Sequence, residues 1–234
     1  MRKLILASLL TGGLLVLNAS AGTLAYQGNF DGINGLTNEV NSTTGITSYT
    51  YDNFIVPAGQ TWDVTGLFSN NLANVTWSSA FWDIRQGVSA GNGGTDIASG
   101  TSAATDVATG RSGFGYNEYT AMVSGLNIEL TAGTYWLAVS PISTDNGRSF
   151  ISTTSGAGGI NNDLSGNSYL ESAFFGANYS PTINFLGYDT PGFSMGVVGT
   201  VNSGTPEPAS LLLIAGGLGL IGIARKRMGS KKSL

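Results

Sequence analysis

From Gly22 to Gly204 the apolar residues fall in short runs, many of them alternating with Thr, Ser, Asn or a charged residue, and the runs are parted by clusters of Gly, Asn, Asp and Pro. A period of two predicts strands rather than helices. The runs place them at Ile46–Val56, Trp62–Phe68, Val75–Arg85, Tyr116–Val123, Leu126–Leu130, Thr134–Val139, Arg148–Thr153, Tyr169–Phe175 and Phe193–Val201. Within Val75–Arg85, Ala80, Trp82 and Ile84 point one way, and Val75, Trp77, Phe81 and Arg85 the other, so neither face is purely polar. Pro57-Ala58-Gly59 and Thr131-Ala132-Gly133 predict turns before strands, and Ala90–Thr95 a long flexible loop. No stretch of this body carries a helical period and no fixed repeat is present. Many short strands with regular turns predict an all-β fold, an antiparallel β-sandwich of jelly-roll-like type.

Both ends of the chain break this pattern. Arg2 and Lys3 precede an uncharged, mostly apolar stretch from Leu4 to Leu17, and Ala19-Ser20-Ala21 is a small-x-small cleavage site. That three-part order predicts a signal peptide over residues 1–21, leaving Gly22 as the first mature residue. The run is shorter than the roughly 20 residues a permanent spanning helix needs. At the other end Ala209–Ala224 has no polar face, and Arg225, Lys226, Arg227, Lys231 and Lys232 follow it. This predicts a C-terminal single transmembrane helix over 209–224, about 24 Å long at 1.5 Å per residue. Arg225, Lys226 and Arg227 act as its stop-transfer signal, and residues 225–234 form a basic cytoplasmic tail. Residues 22–204 are then the β-sandwich body outside the cytoplasm, and 205–208 the linker.

Pro206-Glu207-Pro208, the apolar helix and the Arg-Lys-Arg cluster together resemble the PEP-CTERM sorting signal of exopolysaccharide-producing Gram-negative bacteria. The resemblance implies an exosortase-type enzyme as partner, which reads Pro206, Glu207 and Pro208 and removes the anchor. The inner membrane holds the chain only until then. Physical chemistry agrees with such a strip, because two prolines keep the segment extended and out of helix and sheet pairing. The stretches Phe81–Gly87, Gly110–Gly115 and Leu130–Leu137 in addition resemble a module that recurs in front of this tail. That likeness carries placement and no activity.

Composition sharpens the picture by what it lacks. The chain has no Cys and no His. Disulfides, a Cys nucleophile, a Ser-His-Asp triad and the usual zinc ligands are therefore excluded. Within 22–204 only Arg85, Arg111 and Arg148 are basic, against thirteen acids, a formal balance of −10. A body this acidic repels polyanions, so no nucleic-acid partner is expected.

The remaining candidate chemistry lies in aromatics and carboxylates. Trp82 and Trp136 sit in apolar strands and are expected in the core, whereas Trp77 lies among Thr76, Ser78 and Ser79 and is the expected exposed platform. Trp77, Tyr116 and Tyr119 are the candidate glycan contacts, since aromatic side chains join a large apolar surface to a polar tip. Tyr179 and Tyr188 also flank turns. Asp63, Asp83, Glu118 and Glu129 form no suggestive pair and are expected as surface acids, which leaves no catalytic carboxylates of the glycosidase kind. No cofactor is expected, save that Asp145-Asn146-Gly147 or Asp96 offers oxygens for a structural calcium ion.

These features predict an exported, non-enzymatic protein of the cell surface or exopolysaccharide matrix, with display as its role. A carbohydrate-binding adhesin is the alternative, and a polysaccharide-active hydrolase or lyase the more distant one.

Overall fold

The computed structural model describes residues 20–203, which form twelve strands and one helical turn. In chain order these are β1 (Gly22–Tyr26), β2 (Phe30–Thr37), β3 (Glu39–Asn41), β4 (Ile46–Ala73), β5 (Ser79–Gln86), β6 (Thr95–Gly113), β7 (Tyr116–Ser143), β8 (Ser149–Thr154), β9 (Tyr169–Ser172), β10 (Ala177–Pro181), α1 (Ile183–Leu186), β11 (Gly192–Phe193) and β12 (Met195–Ser203). The all-β expectation holds. The purely antiparallel one does not: β3 runs parallel to β7, pairing Val40 with Ile142 and Asn41 with Ser143, so the sheet is mixed. Its main path runs β1-β12-β4-β3-β7-β5-β6. A helical turn at α1 is also present where no helical period is expected. Residues 1–19 of the expected signal peptide 1–21, and everything from residue 204 on, with the expected sorting motif and transmembrane helix, lie outside the described residues. Among the described residues no helix is long and apolar enough to cross a membrane.

β4 and β7 are each 28 residues long. Straight, each would reach about 90 Å at 3.3 Å per residue. A domain of this size has a radius of gyration of about 16 Å, so both must turn. The turn falls where the sequence has Pro57-Ala58-Gly59: the β4–β7 register jumps between Val56 and Thr61, and Gly59 takes φ +80°. Inside this corner Phe54 stacks on Trp62 with centroids 6.1 Å apart and on Tyr135 at 5.6 Å. One core joins residues from both arms of the long strands: Phe54 and Val56 before the corner, Trp62, Val64 and Leu67 after it. Tyr135, Leu137 and Val139 of one β7 arm meet Val123 and Leu130 of the other in the same cluster.

The expected alternation in β5 holds for Ala80, Trp82 and Ile84, all buried in that core. Not all of the interior is apolar. Asn38 is fully buried; its amide donates to Asn71 Oδ1 (2.9 Å) and to the Val139 carbonyl (2.8 Å), and it accepts from the Ser140 hydroxyl (2.6 Å). Ser69 donates to the same Val139 carbonyl, at 2.7 Å, and accepts from the Asn71 amide. A network satisfied this completely fixes register as well as adding strength.

Candidate binding cleft

At the tip of the β6–β7 hairpin, Gly113 pairs with Tyr116 and the two residues between them make the turn. Phe114 has φ +55° and Gly115 φ +83°. Positive φ at both central residues is the type I′ turn, whose usual occupants are Asn-Gly or Asp-Gly. A bulky aromatic at the first position is strained. Packing does not repay the strain, because Phe114 is 63% exposed, the most exposed large apolar side chain among the described residues.

Phe114 forms one wall of a cavity of about 150 Å³ whose other lining residues are Asn34, Gly35, Leu72, Tyr116 and Phe150. Tyr116 meets Phe150 edge-on at 5.6 Å, and Phe30 meets Phe114 at 6.5 Å. β8 brings Phe150 opposite both Leu72 of β4 and Thr37 of β2, so three strands fix the floor. Glycine lets the aromatic rings approach the strands this closely. A Cβ on Gly113 would strike the Phe30 ring at 2.6 Å, and one on Gly35 would press Phe150 Cβ at 3.1 Å. The guanidinium of Arg148 lies over Phe150, 4.9 Å from its centroid, while its Nε donates to Glu39 at 2.6 Å.

A second cavity, of about 230 Å³, opens where β6 bulges from β7 between Ala108 and Ser112, lined by Arg111, Asn117, Glu118 and Tyr119 among others. Glu118 is fully buried and saturated. Its oxygens accept from Arg111 Nε (2.5 Å), the Thr109 hydroxyl (2.7 Å) and the Ser152 hydroxyl (2.6 Å).

The candidate glycan residues thus separate. Tyr116 lines the aromatic cleft and is half-buried. Tyr119 lines the polar cavity and packs edge-on against Trp77 at 6.2 Å. Trp77 itself corrects the expectation of an exposed platform. It is 7% exposed, clusters with Ala73, Val75 and Ala121, and donates its indole N–H to the Thr105 carbonyl at 2.9 Å. Trp82 and Trp136 are buried as expected. Of the cleavage-site residues, Ala21 is exposed just before β1, and Ala19 lies outside the described residues.

Asp83 and Glu118 are corrected as well, since both are buried rather than surface acids. Each of the body's three arginines holds one buried carboxylate: Arg85 with Asp83 at 2.5 Å, Arg111 with Glu118 and Arg148 with Glu39. Asp83 also accepts from Tyr51 at 2.8 Å, and burial pushes both the Asp83 carboxyl and the Tyr51 hydroxyl up. Asp52 is buried with two backbone N–H donors, from Phe193 and Asn53; burial outweighs them and pushes it well up. Asp63 and Glu129 oppose each other in register on the open sheet, not across a cleft.

For calcium, Asp145 is occupied otherwise. Its carboxylate accepts from the Thr76 N–H (2.8 Å) and hydroxyl (2.7 Å), which pull its pKa down. Asp96 accepts from the Ser99 hydroxyl. Among the described residues no three acids gather in a group able to hold a metal ion. The loop expected to be flexible at 90–95 is a tight turn: Ser89 and Asn92 exchange backbone bonds, and Arg85 reaches the Gly93 carbonyl at 3.1 Å.

Sequence reasoning missed Phe114, Phe150 and Asn34. The one available signal was Gly113-Phe114-Gly115 itself, an aromatic between glycines directly before a tyrosine. Compared with protein-family models, curated proteins and solved structures, the chain matches none.

Proposed function

We propose that the chain is an exported, non-enzymatic protein of the cell surface or exopolysaccharide matrix, and that its body serves for display. A signal peptide over 1–21 directs export, the tail holds the chain in the inner membrane, and an exosortase-type enzyme cuts near Pro206-Glu207-Pro208. The bent long strands close on their shared core as a jelly-roll-like β-sandwich.

The observation that carries this reading is where the ends of the body lie. β12 stays paired up to Ser203, opposite Gln60 of β4, and Gly22 of β1 pairs with Gly199 of β12. Both ends of the body therefore leave from one end of the sheet. Leu72 of the aromatic cleft lies on the same strand as Gln60, twelve residues on. At 3.3 Å per residue that is about 40 Å away. With five residues between Ser203 and Ala209, the tail would hold the Gln60 end against the bilayer and turn the cleft outward.

A carbohydrate-binding adhesin is the second reading, favoured by the exposed aromatic rim at the outward end. The three arginines neutralising buried acids speak for structural rather than catalytic carboxylates. Replacing Pro206-Glu207-Pro208 by alanines is expected to leave uncut protein in the membrane fraction. Normal processing of that variant, followed by immunoblot of fractionated cells, would sink the sorting claim.

A further inference from the structure

Three observations converge on the hairpin tip: a strained and exposed aromatic, a small cavity walled by aromatic rings, and a tyrosine hydroxyl without a protein partner among its lining. We propose that the cleft between Phe114, Tyr116 and Phe150 binds the apolar face of one neutral pyranose ring, with Phe114 as its outer wall. The proposal rests on the display reading for where the cleft faces, not for what it binds.

The strain comes first. A residue held in a sparsely populated backbone region while most of its side chain stays exposed points from geometry to function. Asn at position 114 would satisfy the turn without strain. Phe114 instead gives the cavity an exposed aromatic wall that a ligand in it would cover.

The lining then selects the ligand. Aromatic and aliphatic walls with few polar groups mark a small-molecule site. At about 150 Å³ the cavity is far smaller than the usual range for drug-sized ligands, and suits a single ring. Among the described residues the Tyr116 hydroxyl has no protein partner, whereas the Asn34 side chain accepts from the Gly35 N–H at 2.9 Å and faces the Tyr188 hydroxyl. A free phenol beside ring faces and edges matches a molecule with C–H groups on its face and hydroxyls on its edge. A purely apolar peptide side chain would leave the Tyr116 hydroxyl without a partner.

Charge decides between neutral and acidic saccharides. None of the lining residues is charged, and Arg148, the nearby cation, is already bound to Glu39. The formal balance of −10 over 22–204 disfavours a uronate.

The test titrates the full chain, purified in a sugar-free zwitterionic detergent, with neutral gluco-, galacto- and manno-oligosaccharides and with a uronate oligosaccharide, by calorimetry. Saturable binding to at least one neutral series is expected. Phe114→Asn should weaken it at least tenfold while raising the melting temperature by ~2–4 °C, as relief of about 1 kcal/mol of strain does in a domain of this size. Tyr116→Phe should weaken it several-fold with the melting temperature unchanged. No neutral series binding at millimolar concentration, unchanged binding by Phe114→Asn, a lower melting temperature of that variant, or equal binding of the uronate would each overturn the proposal. Processing of the tail is read separately in fractionated cells, so loss of the cleft claim leaves the display reading standing, and the reverse.

Discussion

Arg111 shows what the scarce positive charge in this body does. Its partner Glu118 is fully buried, and Arg111 is 32% exposed on the side chain, so the pair straddles the boundary between interior and solvent. Removing one member of such a pair leaves an uncompensated buried charge. Arg111→Met should therefore cost about 3–5 kcal/mol in urea unfolding. Adding Glu118→Gln should recover most of that, because the amide keeps an acceptor for Ser152 or Thr109 without the charge. If the double variant is no more stable than the single one, the ion pair is not the reason for the loss. Little of this was legible in the sequence. Asp83 alternates with the core residues Trp82 and Ile84 and so falls on the opposite face, Glu118 stands between Asn117 and Tyr119, and their arginines are two and seven positions away on bulged strands. Trp77 misled for a related reason. Its neighbours Thr76, Ser78 and Ser79 are polar, but what buries it is Ala121 and Tyr119 of β7, more than forty residues on.

Among the elements, the strands easiest to read were those that carry buried apolar residues. Ile46–Val56, Trp62–Phe68 and the three runs of β7 were all visible as strands from their short apolar runs between turn residues, although Thr50–Phe54 and Tyr135–Pro141 are buried on both faces rather than alternating. That they join into two long bent strands was not visible. Turn residues at Pro57-Ala58-Gly59 and Thr131-Ala132-Gly133 signal a change of direction, and a corner within a continuing ladder uses the same residues as a loop. β6 left little hydrophobic signal: it has no buried residue along its 19 positions, lies at the end of the sheet, and is mostly Thr, Ser, Ala and Gly, with Ile97 and Val107 its only large apolar residues, both exposed. Two glycines test the corner and its neighbour separately. Gly59 has open space around it but a positive φ, so Gly59→Ala should cost about 1–2 kcal/mol through backbone strain, and Gly59→Asn less. Gly199 fails on space instead. A Cβ there would lie 2.2 Å from the Asp63 carbonyl oxygen, in the backbone of the paired strand. Gly199→Ala should cost about 3 kcal/mol, at the upper end of overpacking, and speed amide hydrogen exchange along β12. Equal costs for the two alanine variants would contradict this division.

At the scale of the whole molecule, the acids that stabilise least when ionised set the pH response. Burial pushes the carboxyls of Glu39, Asp52 and Asp83 up, and those of Asp106 and Glu171 as well. A raised folded-state pKa means the folded chain binds protons more tightly than the unfolded one. The contribution of such a group is fully present below the ordinary carboxylate range and is lost as pH rises through its folded-state value. The mutual repulsion of an acidic body acts in the same direction. Asp145, pulled down by Thr76, acts in the opposite direction, and only below the ordinary carboxylate range. The melting temperature should therefore be higher at pH 5 than at pH 8. Asp52 is the sharpest contributor, since the groups that face it are the Phe193 and Asn53 N–H donors and the like charge of Asp163, with no cation among them. Asp52→Asn should flatten the slope between pH 5 and 8, even though one backbone N–H loses its acceptor and absolute stability at pH 5 falls. A melting temperature that rises from pH 5 to pH 8 would mean that the three arginine pairs outweigh burial. The acidic interior would then be a source of stability at neutral pH, and the body would be built to persist there rather than in acid.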